Sequence, residues 1–182
     1  SAAKVSDDLH VIDSFSEDKT LEIAQRYKAS ITQRKFINYS EQRNWAIDHL
    51  QLKHTWQLHL DSDEILSDEL IDLILRLDPD DETNGYFLPR MTKFLGRTIK
   101  HGGLYPIWHM RLFRTGKGRC ENREYDQHFQ VVGKTGQLSA PMIDDQRMSI
   151  GEWTTRQNRR SEMEVRDVTQ NGNKDVIKGT FS

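Results

Sequence analysis

Two aspartates separated by one residue follow a segment that is predicted to be a β-strand. Residues 56–60 alternate apolar and polar side chains, as a strand does, and Asp61 and Asp63 come next. Ligands of an α/β sheet collect beyond the carboxyl ends of its strands, so these carboxylates are expected to face a ligand. Mg²⁺ and Mn²⁺ commonly bind one or two carboxylates together with phosphate oxygens. The pattern therefore predicts a site for a divalent metal and a diphosphate; the alternative is an acidic turn before a helix.

Asp13 lies in a second acidic turn of the same kind. It follows the β-prone run 9–12 and precedes residues 17–29, whose apolar side chains recur at helical spacing and predict a helix with Ser16 as its N-cap. Two acidic turns at the ends of strands favour a cleft at one edge of the sheet. The alternative for Asp13 is a turn-forming residue without a ligand.

The elements that position these residues alternate between strands and helices in the first half of the chain. A strand is predicted within 31–37, a helix capped by Ser40 and running to about residue 51, and another helix that starts at Ser67 or Asp68 and ends at residue 77. Alternating strands and helices predict βαβ crossovers and a largely parallel sheet.

The pattern changes after residues 78–82. Short β-prone runs at 86–94, 111–114 and 129–132 are separated by glycine-rich turns, which predicts an antiparallel or mixed extension of the sheet. A polar helix is predicted at about 152–168. We therefore expect an α/β domain over residues 1–150, followed by a C-terminal helix and polar tail over 151–182.

Composition excludes several classes of protein. A formal net charge of -2 over 182 residues provides no basic field for nucleic acid. The single cysteine, Cys120, excludes an internal disulfide. No apolar run approaches the length of a membrane span. A cytoplasmic protein is expected, and Trp56 and Trp153 are expected to lie in its core.

Several ordered blocks of the sequence resemble the family 2 glycosyltransferases. The blocks nearest the N-terminus are VIDSFSEDKT, NYSEQRNWAID and WQLHLDSDEILSDEL, the last of which holds Asp61 and Asp63. The next, GYFLPRMTKFLGRTIKHGGLYPIWHMRLFR, resembles the branch that acts in lipopolysaccharide-core synthesis, and YDQHFQVVGKTGQL and EWTTRQNRRSEMEV continue the match. The resemblance covers most of the chain.

The resemblance implies a GT-A-type, Rossmann-like fold with a mixed sheet flanked by helices. It implies inverting transfer of a hexose from a nucleotide diphosphate sugar, with a UDP-sugar expected, to a saccharide or lipid-linked acceptor in cell-surface polysaccharide synthesis. The expected cofactor is a divalent metal, Mn²⁺ or Mg²⁺. Work at the inner face of the membrane, through peripheral association, is a further expectation.

The resemblance also implies roles for residues of the donor site. Asp13 would hydrogen-bond the nucleotide base. Asp61 and Asp63 would lie at the diphosphate and metal, with Asp63 as the direct ligand. Three neighbouring residues would lie near the nucleotide–sugar, although an exposed helix start is the alternative for them: Gln42, Arg43 and Asn44.

Two further roles concern the reacting groups. Arg111 could bind phosphate or carboxylate, because guanidinium pairs bidentately with both, or it could be an ion-paired residue of the sheet. Inversion requires a carboxylate base for the acceptor hydroxyl, and we assign this role to Asp126, with Glu124 in reserve. A structural turn carboxylate is the alternative for Asp126, since many relatives carry a His-Glu pair at these positions. His109 and His128 are interpreted as structural histidines.

The sequence departs from the family pattern at its ends. Relatives open with a strand and turn of the type VSVIIPTYNE, and they continue past the last helix; this chain shows neither feature. We therefore expect a fragment or truncated form, in which an exposed sheet edge favours self-association. Two alternatives to an active transferase follow: a pseudo-enzyme that binds the nucleotide–sugar without turnover, and a metal-dependent phosphohydrolase.

Overall fold

Within residues 1–123 and 127–171, which the computed structural model describes, the chain forms four α-helices and eleven β-strands. The helices are α1 (Thr20–Arg26), α2 (Tyr39–His49), α3 (Asp68–Leu75) and α4 (Ile150–Asn171). The strands are β1 (His10–Asp13), β2 (Ser30–Gln33), β3 (Trp56–Leu58), β4 (Glu64–Leu66), β5 (Thr83–Phe94), β6 (Arg97–Thr98), β7 (Ile107–Arg114), β8 (Gly118–Cys120), β9 (Phe129–Val131), β10 (Lys134–Gln137) and β11 (Met142–Gln146). The predicted mixed α/β class is confirmed.

Strands β1 and β2 form a parallel pair connected by α1. Their register runs from His10 opposite Ser30 to Asp13 opposite Gln33. This is the βαβ unit that the alternation of patterns predicts. The pair forms its own two-stranded sheet and does not hydrogen-bond to the larger sheet within the described residues.

The larger sheet has the strand order β3-β7-β5-β11-β4. Its central strand, β5, runs antiparallel to β7 and parallel to β11. Strand β3 is antiparallel to β7, and β4 is antiparallel to β11. The prediction of a largely parallel sheet is therefore wrong here, because β3 and β4 pair with strands of the C-terminal half and not with β1 and β2. The predicted mixed extension in that half is confirmed.

Two helix starts differ from the prediction. Helix α1 begins at Thr20 and not at residue 17, because Asp13 accepts a hydrogen bond from the Ser16 backbone amide (3.1 Å to Oδ2) and Asp18 accepts one from that of Thr20 (2.9 Å). These Asx contacts compete with helical hydrogen bonds and hold the segment as a turn.

Helix α2 is capped by Asn38, whose side-chain oxygen accepts a hydrogen bond from the Glu41 amide (2.8 Å). Ser40, the predicted cap, is buried and donates its hydroxyl to the Glu121 carbonyl (2.7 Å). The predicted start of α3 at Ser67 or Asp68 is confirmed: the helix begins at Asp68, and Ser67 is its N-cap, whose hydroxyl oxygen accepts a hydrogen bond from the Leu70 amide (3.1 Å).

Both faces of the large sheet are covered. Adjacent residues of a strand point to opposite faces, and Leu112 and Phe113 of β7 belong to different apolar clusters. One cluster joins the sheet to α3: Leu66, Leu70, Ile71, Leu88, Leu112, Leu138, Ala140 and Met142. The other consists of Met110, Phe113, Cys120 and Phe129. Burial of each large apolar side chain contributes about 2 kcal/mol, so these clusters fix the strands that end at the candidate site.

The two tryptophans predicted to lie in the core differ in position. Trp56 packs against the cluster that joins α3 to the sheet, as expected. Trp153 is 38% exposed and contacts Phe94 with ring centroids 5.9 Å apart. The core prediction is therefore wrong for Trp153, because its partner Phe94 is the last residue of β5 and the indole lies at the margin of the sheet.

Candidate functional site

Asp61 lies between β3 and β4 and is held by two arginines. Arg43 Nη2 donates to one carboxylate oxygen (2.7 Å) and Arg111 Nη2 to the other (2.9 Å). Burial alone would raise the pKa of the Asp61 carboxyl, but the charges of Arg111 and Arg43 lower it below its usual value. Asp61 is therefore a fixed, ionised carboxylate at the end of β3.

The two arginines come from different elements. Arg43 is on α2, and its guanidinium lies 5.5 Å from the ring centroids of both Tyr39 and Phe129. Arg111 is on β7 and is 5% exposed. The structure thus brings together three residues that the sequence analysis assigned to one site, although α2, β3 and β7 are far apart along the chain.

Glu64 completes this group. One oxygen accepts a hydrogen bond from Arg111 Nη2 (2.6 Å), and the other accepts one from the Asp61 backbone amide (2.9 Å). Burial, followed by repulsion from Asp61, raises the pKa of the Glu64 carboxyl, against the opposing charge of Arg111. When all four side chains are ionised, the positive charges of Arg43 and Arg111 balance the negative charges of Asp61 and Glu64. Sequence reasoning missed Glu64 because it reads as part of an acidic turn.

The negative charge of Asp63 is not balanced by a directly bound arginine or lysine of the described residues, as that of Asp61 is. No described side chain donates a hydrogen bond to its half-buried carboxylate. Burial, and then the charges of Asp144 and Asp61, raise the pKa of Asp63; Arg156 acts in the opposite direction. The backbone of Asp63 is fixed, because its carbonyl accepts a hydrogen bond from the Asp145 amide (3.0 Å). Asp63 is therefore the acidic residue of this turn that is best suited to a positively charged ligand.

Asp144 is a second carboxylate in the neighbourhood of Asp63. It lies on β11 opposite Glu64 and is 6% exposed. Its Oδ2 accepts a hydrogen bond from Gln146 Nε2 (2.9 Å) and lies 4.0 Å from Arg90 Nε. Its Oδ1 is buried and has no hydrogen-bond partner in the described part of the chain. The sequence analysis missed Asp144, although an aspartate pair within a β-prone run is itself an unusual signal.

The donor atoms around Asp63 fit a divalent cation in type. A half-buried carboxylate and an unpaired buried carboxylate oxygen supply hard oxygen ligands and excess negative charge. No group of three or more His, Cys, Asp or Glu side chains among residues 1–123 and 127–171 is arranged to hold a metal. A cation here would therefore need further oxygens from phosphate or water, as Mg²⁺ usually does.

Asp13 ends β1 and is buried, with hydrogen bonds from the Ser16 amide and from Gln33 Nε2 (3.0 Å). Hydrogen bonds from Ser16 and then Gln33 lower the pKa of its carboxyl. The next residue, Ser14, donates its hydroxyl to Gln42 Oε1 on α2 (3.3 Å). Asp13 and Gln42 therefore lie at neighbouring ends of β1 and α2.

Asn44 uses both ends of its side-chain amide on one residue. Its Nδ2 donates to the Cys120 carbonyl (2.9 Å), and its Oδ1 accepts from the Cys120 amide (2.9 Å). These bonds attach α2 to β8. In this structure Asn44 positions the helix that carries Arg43 and Gln42.

The residues assigned as the catalytic base, Asp126 and Glu124, lie outside the described residues. On the C-terminal side of them, the Gln127 carbonyl accepts a hydrogen bond from Arg43 Nη1 (3.4 Å). His128 donates its backbone amide to Glu121 Oε1 (2.9 Å), and its ring stacks on that of His109 with centroids 5.8 Å apart. Burial, followed by the charges of Arg90 and Arg111, lowers the pKa of His109 to about 3, so its ring is neutral near pH 7.

Comparisons with known proteins support one general class. No protein-family model matches the chain. Over 74 residues, 41% of the chain, it is 36% identical to a protein of Rickettsia bellii (strain RML369-C) named "Uncharacterized glycosyltransferase". The match covers 24% of that relative, so it spans about a quarter of the relative's length. The chain is thus similar to a glycosyltransferase in part of its sequence. Within the described residues, no helix combines the length and apolar character that crossing a membrane requires.

Proposed function

We propose that this chain carries the donor-binding site of a glycosyltransferase that moves a hexose from a nucleotide diphosphate sugar to a saccharide or lipid-linked acceptor. One observation carries the proposal: Asp61 is fixed by Arg43 and Arg111 at the end of β3, next to an uncompensated Asp63. The similarity to the Rickettsia protein supports the transferase class. The resemblance to the family 2 enzymes supports the finer assignment to cell-surface polysaccharide synthesis.

The proposed metal, Mn²⁺ or Mg²⁺, would be held by Asp63 as direct ligand. Asp144 would contribute its unpaired Oδ1, and Asp61 would contribute charge from a position already fixed by two guanidinium groups. When bound, the cation would offset the negative charge that develops on the departing diphosphate.

The nucleotide would lie between this turn and the end of β1. Asp13 is proposed to accept a hydrogen bond from the base, because it is ionised and fixed by Ser16 and Gln33. Gln42 and Arg43 would lie along the nucleotide–sugar, since both are on α2, between β1 and the Asp61 turn. UDP is the nucleotide that the family resemblance favours.

The transfer itself would be a single displacement with inversion. The acceptor hydroxyl oxygen would bond to the anomeric carbon while the bond from that carbon to the diphosphate oxygen breaks. Asp126, with Glu124 in reserve, is proposed to take the hydroxyl proton. Gln127, the next residue along the chain after Asp126, lies beside Arg43, and this position supports the assignment.

A nucleotide-binding pseudo-enzyme is the second candidate. Both carboxylate oxygens of Asp61 are engaged by arginines. Such a site could retain the nucleotide without turnover. Binding without donor cleavage would identify this case.

Calorimetric titration with UDP, with and without Mn²⁺, tests the proposal. We expect manganese-dependent binding that Asp63→Asn abolishes. Asp72→Asn is the matched control, because Asp72 is exposed on α3, and it should bind as the wild type does. Release of UDP from a set of UDP-hexoses then separates the enzyme from the pseudo-enzyme. Absence of UDP binding by the folded wild-type chain would overturn both candidates.

A further inference from the structure

Helix α4 begins directly after β11 and is fixed against the sheet at its first turn. Ser149 and Glu152 form a reciprocal cap: Glu152 Oε2 accepts a hydrogen bond from the Ser149 amide (2.8 Å), and Ser149 Oγ accepts one from the Glu152 amide (3.2 Å). Trp153 then contacts Phe94 of β5 with ring centroids 5.9 Å apart. The first turn of α4 therefore has a defined position beside the sheet.

Arg156 lies on the same side of α4 as Trp153, because residues three apart share a helix face. Its side chain is half-buried, whereas the neighbouring Arg159 is exposed. Within residues 1–123 and 127–171, Arg156 forms no hydrogen bond or ion pair. A partly desolvated guanidinium without a partner in the described protein is well suited to bind an anionic ligand.

The surroundings of Arg156 show where that ligand would lie. Its charge acts on the Asp63 carboxyl and lowers the pKa of that group, against the larger effects of burial and of Asp144. The two groups nevertheless do not form an ion pair within 4.0 Å. The placement follows from the strands: the amide of Asp145 in β11 binds the Asp63 carbonyl (3.0 Å), and the next residue of β11 lies opposite Phe94, on which Trp153 of α4 packs, so the first turns of α4 and the Asp63 turn lie at the same end of β11.

Two other arginines of the described part of the site are already engaged. Arg43 and Arg111 bind Asp61, and Arg111 also binds Glu64. Arg90 Nε lies 4.0 Å from Asp144 Oδ2 and is buried without a hydrogen-bond partner among the described residues, so this atom offers no accessible donor to a ligand. Arg156 is therefore well placed to bind an anion that enters between α4 and the Asp63 turn. A guanidinium suits phosphate in particular, because its parallel N–H groups match two phosphate oxygens.

We propose that Arg156 binds the β-phosphate of the nucleotide donor, on the side of the diphosphate opposite Asp63. This inference rests on the proposed function. Arg156 would then stabilise the departing diphosphate as charge develops on it, and α4 would form one wall of the donor site.

Titrations of UDP and UMP into the wild type, Arg156→Gln and Arg159→Gln, all with Mn²⁺, test the role. We expect Arg156→Gln to weaken UDP binding by about tenfold or more, the range for a charge-assisted hydrogen bond. UMP lacks the β-phosphate, so its affinity should change little, and the preference for UDP over UMP should shrink. Arg159→Gln should match the wild type, and Arg156→Lys should restore part of the affinity because it keeps the charge.

The outcomes separate this inference from the function it rests on. If the folded wild-type chain binds no UDP, the proposed function fails, and this inference fails with it. If the wild type binds UDP and Arg156→Gln binds it equally well, the inference alone is overturned. Equal losses for UDP and UMP would mean that Arg156 supports the structure and does not contact the β-phosphate. Equal losses of UDP affinity for Arg156→Gln and Arg159→Gln would show that the effect comes from the net charge of α4, and this result would also overturn the inference.

Discussion

Arg111 Nη2 lies 2.6 Å from Glu64 Oε1, and both side chains are buried in the large sheet. Removing a charge from water costs several kcal/mol, and the cost is offset only when a partner and further hydrogen bonds are present. Glu64 has both, since its second oxygen accepts the Asp61 amide. The pair therefore fixes the turn that carries Asp61 and Asp63 relative to β7.

Arg111→Met should lower the free energy of unfolding by about 3 kcal/mol, because it leaves Glu64 buried without its cation. Urea denaturation measures this change. The double variant Arg111→Met, Glu64→Gln should recover part of the loss, since the unpaired charge is then absent as well. A single variant as stable as the wild type would show that solvent reaches Glu64.

Asn44→Ala should lower the free energy of unfolding by about 2 kcal/mol, because it leaves the backbone amide and carbonyl of the buried Cys120 without partners. Asn44→Asp keeps an acceptor for the Cys120 amide and loses the donor to the Cys120 carbonyl. Its free energy of unfolding should therefore lie between those of the wild type and Asn44→Ala. Gln51→Ala, at an exposed position beyond α2, is the control. Urea denaturation measures the free energy of unfolding. Equal losses of it for Asn44→Ala and Gln51→Ala would contradict the structural role of Asn44.

The sequence patterns predicted the elements of the site better than their pairing. Alternation over residues 56–60 predicted β3, and the polar residues Ser67 and Asp68 predicted the start of α3, because both signals are local. The family resemblance placed Arg43 and Asp61 near one ligand, whereas Arg111 was left open as a ligand-binding residue or an ion-paired residue of the sheet; the structure shows its ion pairs with Asp61 and Glu64. The partners of β3 and β4 were not, since β7 and β11 are distant in sequence and no local pattern encodes that pairing.

Sequence reasoning missed Asp144 and Arg156 for the same reason. Asp144 joins the neighbourhood of Asp63 only because β11 pairs with β4. Arg156 is one of several arginines in a polar helix, and only the contact of Trp153 with Phe94 shows which side faces the sheet. Trp153 itself was assigned to the core on residue type, yet its depth depends on where α4 docks. Such features depend on tertiary packing, which residue type and spacing do not specify.

Stability should fall as pH decreases from about 6.5 towards 3, in part because of His109. The pKa of His109 is lowered to about 3 from an ordinary value of 6.5, so in this window the unfolded chain binds a proton that the folded chain excludes. At pH 5 this single group should cost about 2 kcal/mol of unfolding free energy. His109→Phe keeps an aromatic ring and should flatten the pH dependence measured by urea denaturation at pH 7.5 and 5.0.

A matched variant checks that the flattening is specific to His109. His101→Gln changes an exposed histidine and should leave the slope as in the wild type. Some slope should persist in His109→Phe, because burial also lowers the pKa of His59 to about 3. If His109→Phe and the wild type lose equal stability between the two pH values, His109 is protonated in the folded protein.

Gly118→Ala should destabilise the protein far more than Gly116→Ala, although the two glycines lie in the same turn and strand start. A Cβ at Gly118 would lie 2.4 Å from Cδ2 of Phe113, which is fully buried and cannot move aside, so we expect a loss of about 3 kcal/mol. A Cβ at Gly116 would meet nothing within 4 Å, but its φ of +80° disfavours alanine by about 1 kcal/mol. Thermal and urea denaturation of both variants give the comparison. Adding Phe113→Leu to Gly118→Ala should relieve the contact, so the double variant should lose less stability than the sum of the two single losses. A loss equal to or greater than that sum would show that β8 approaches β7 in some other way.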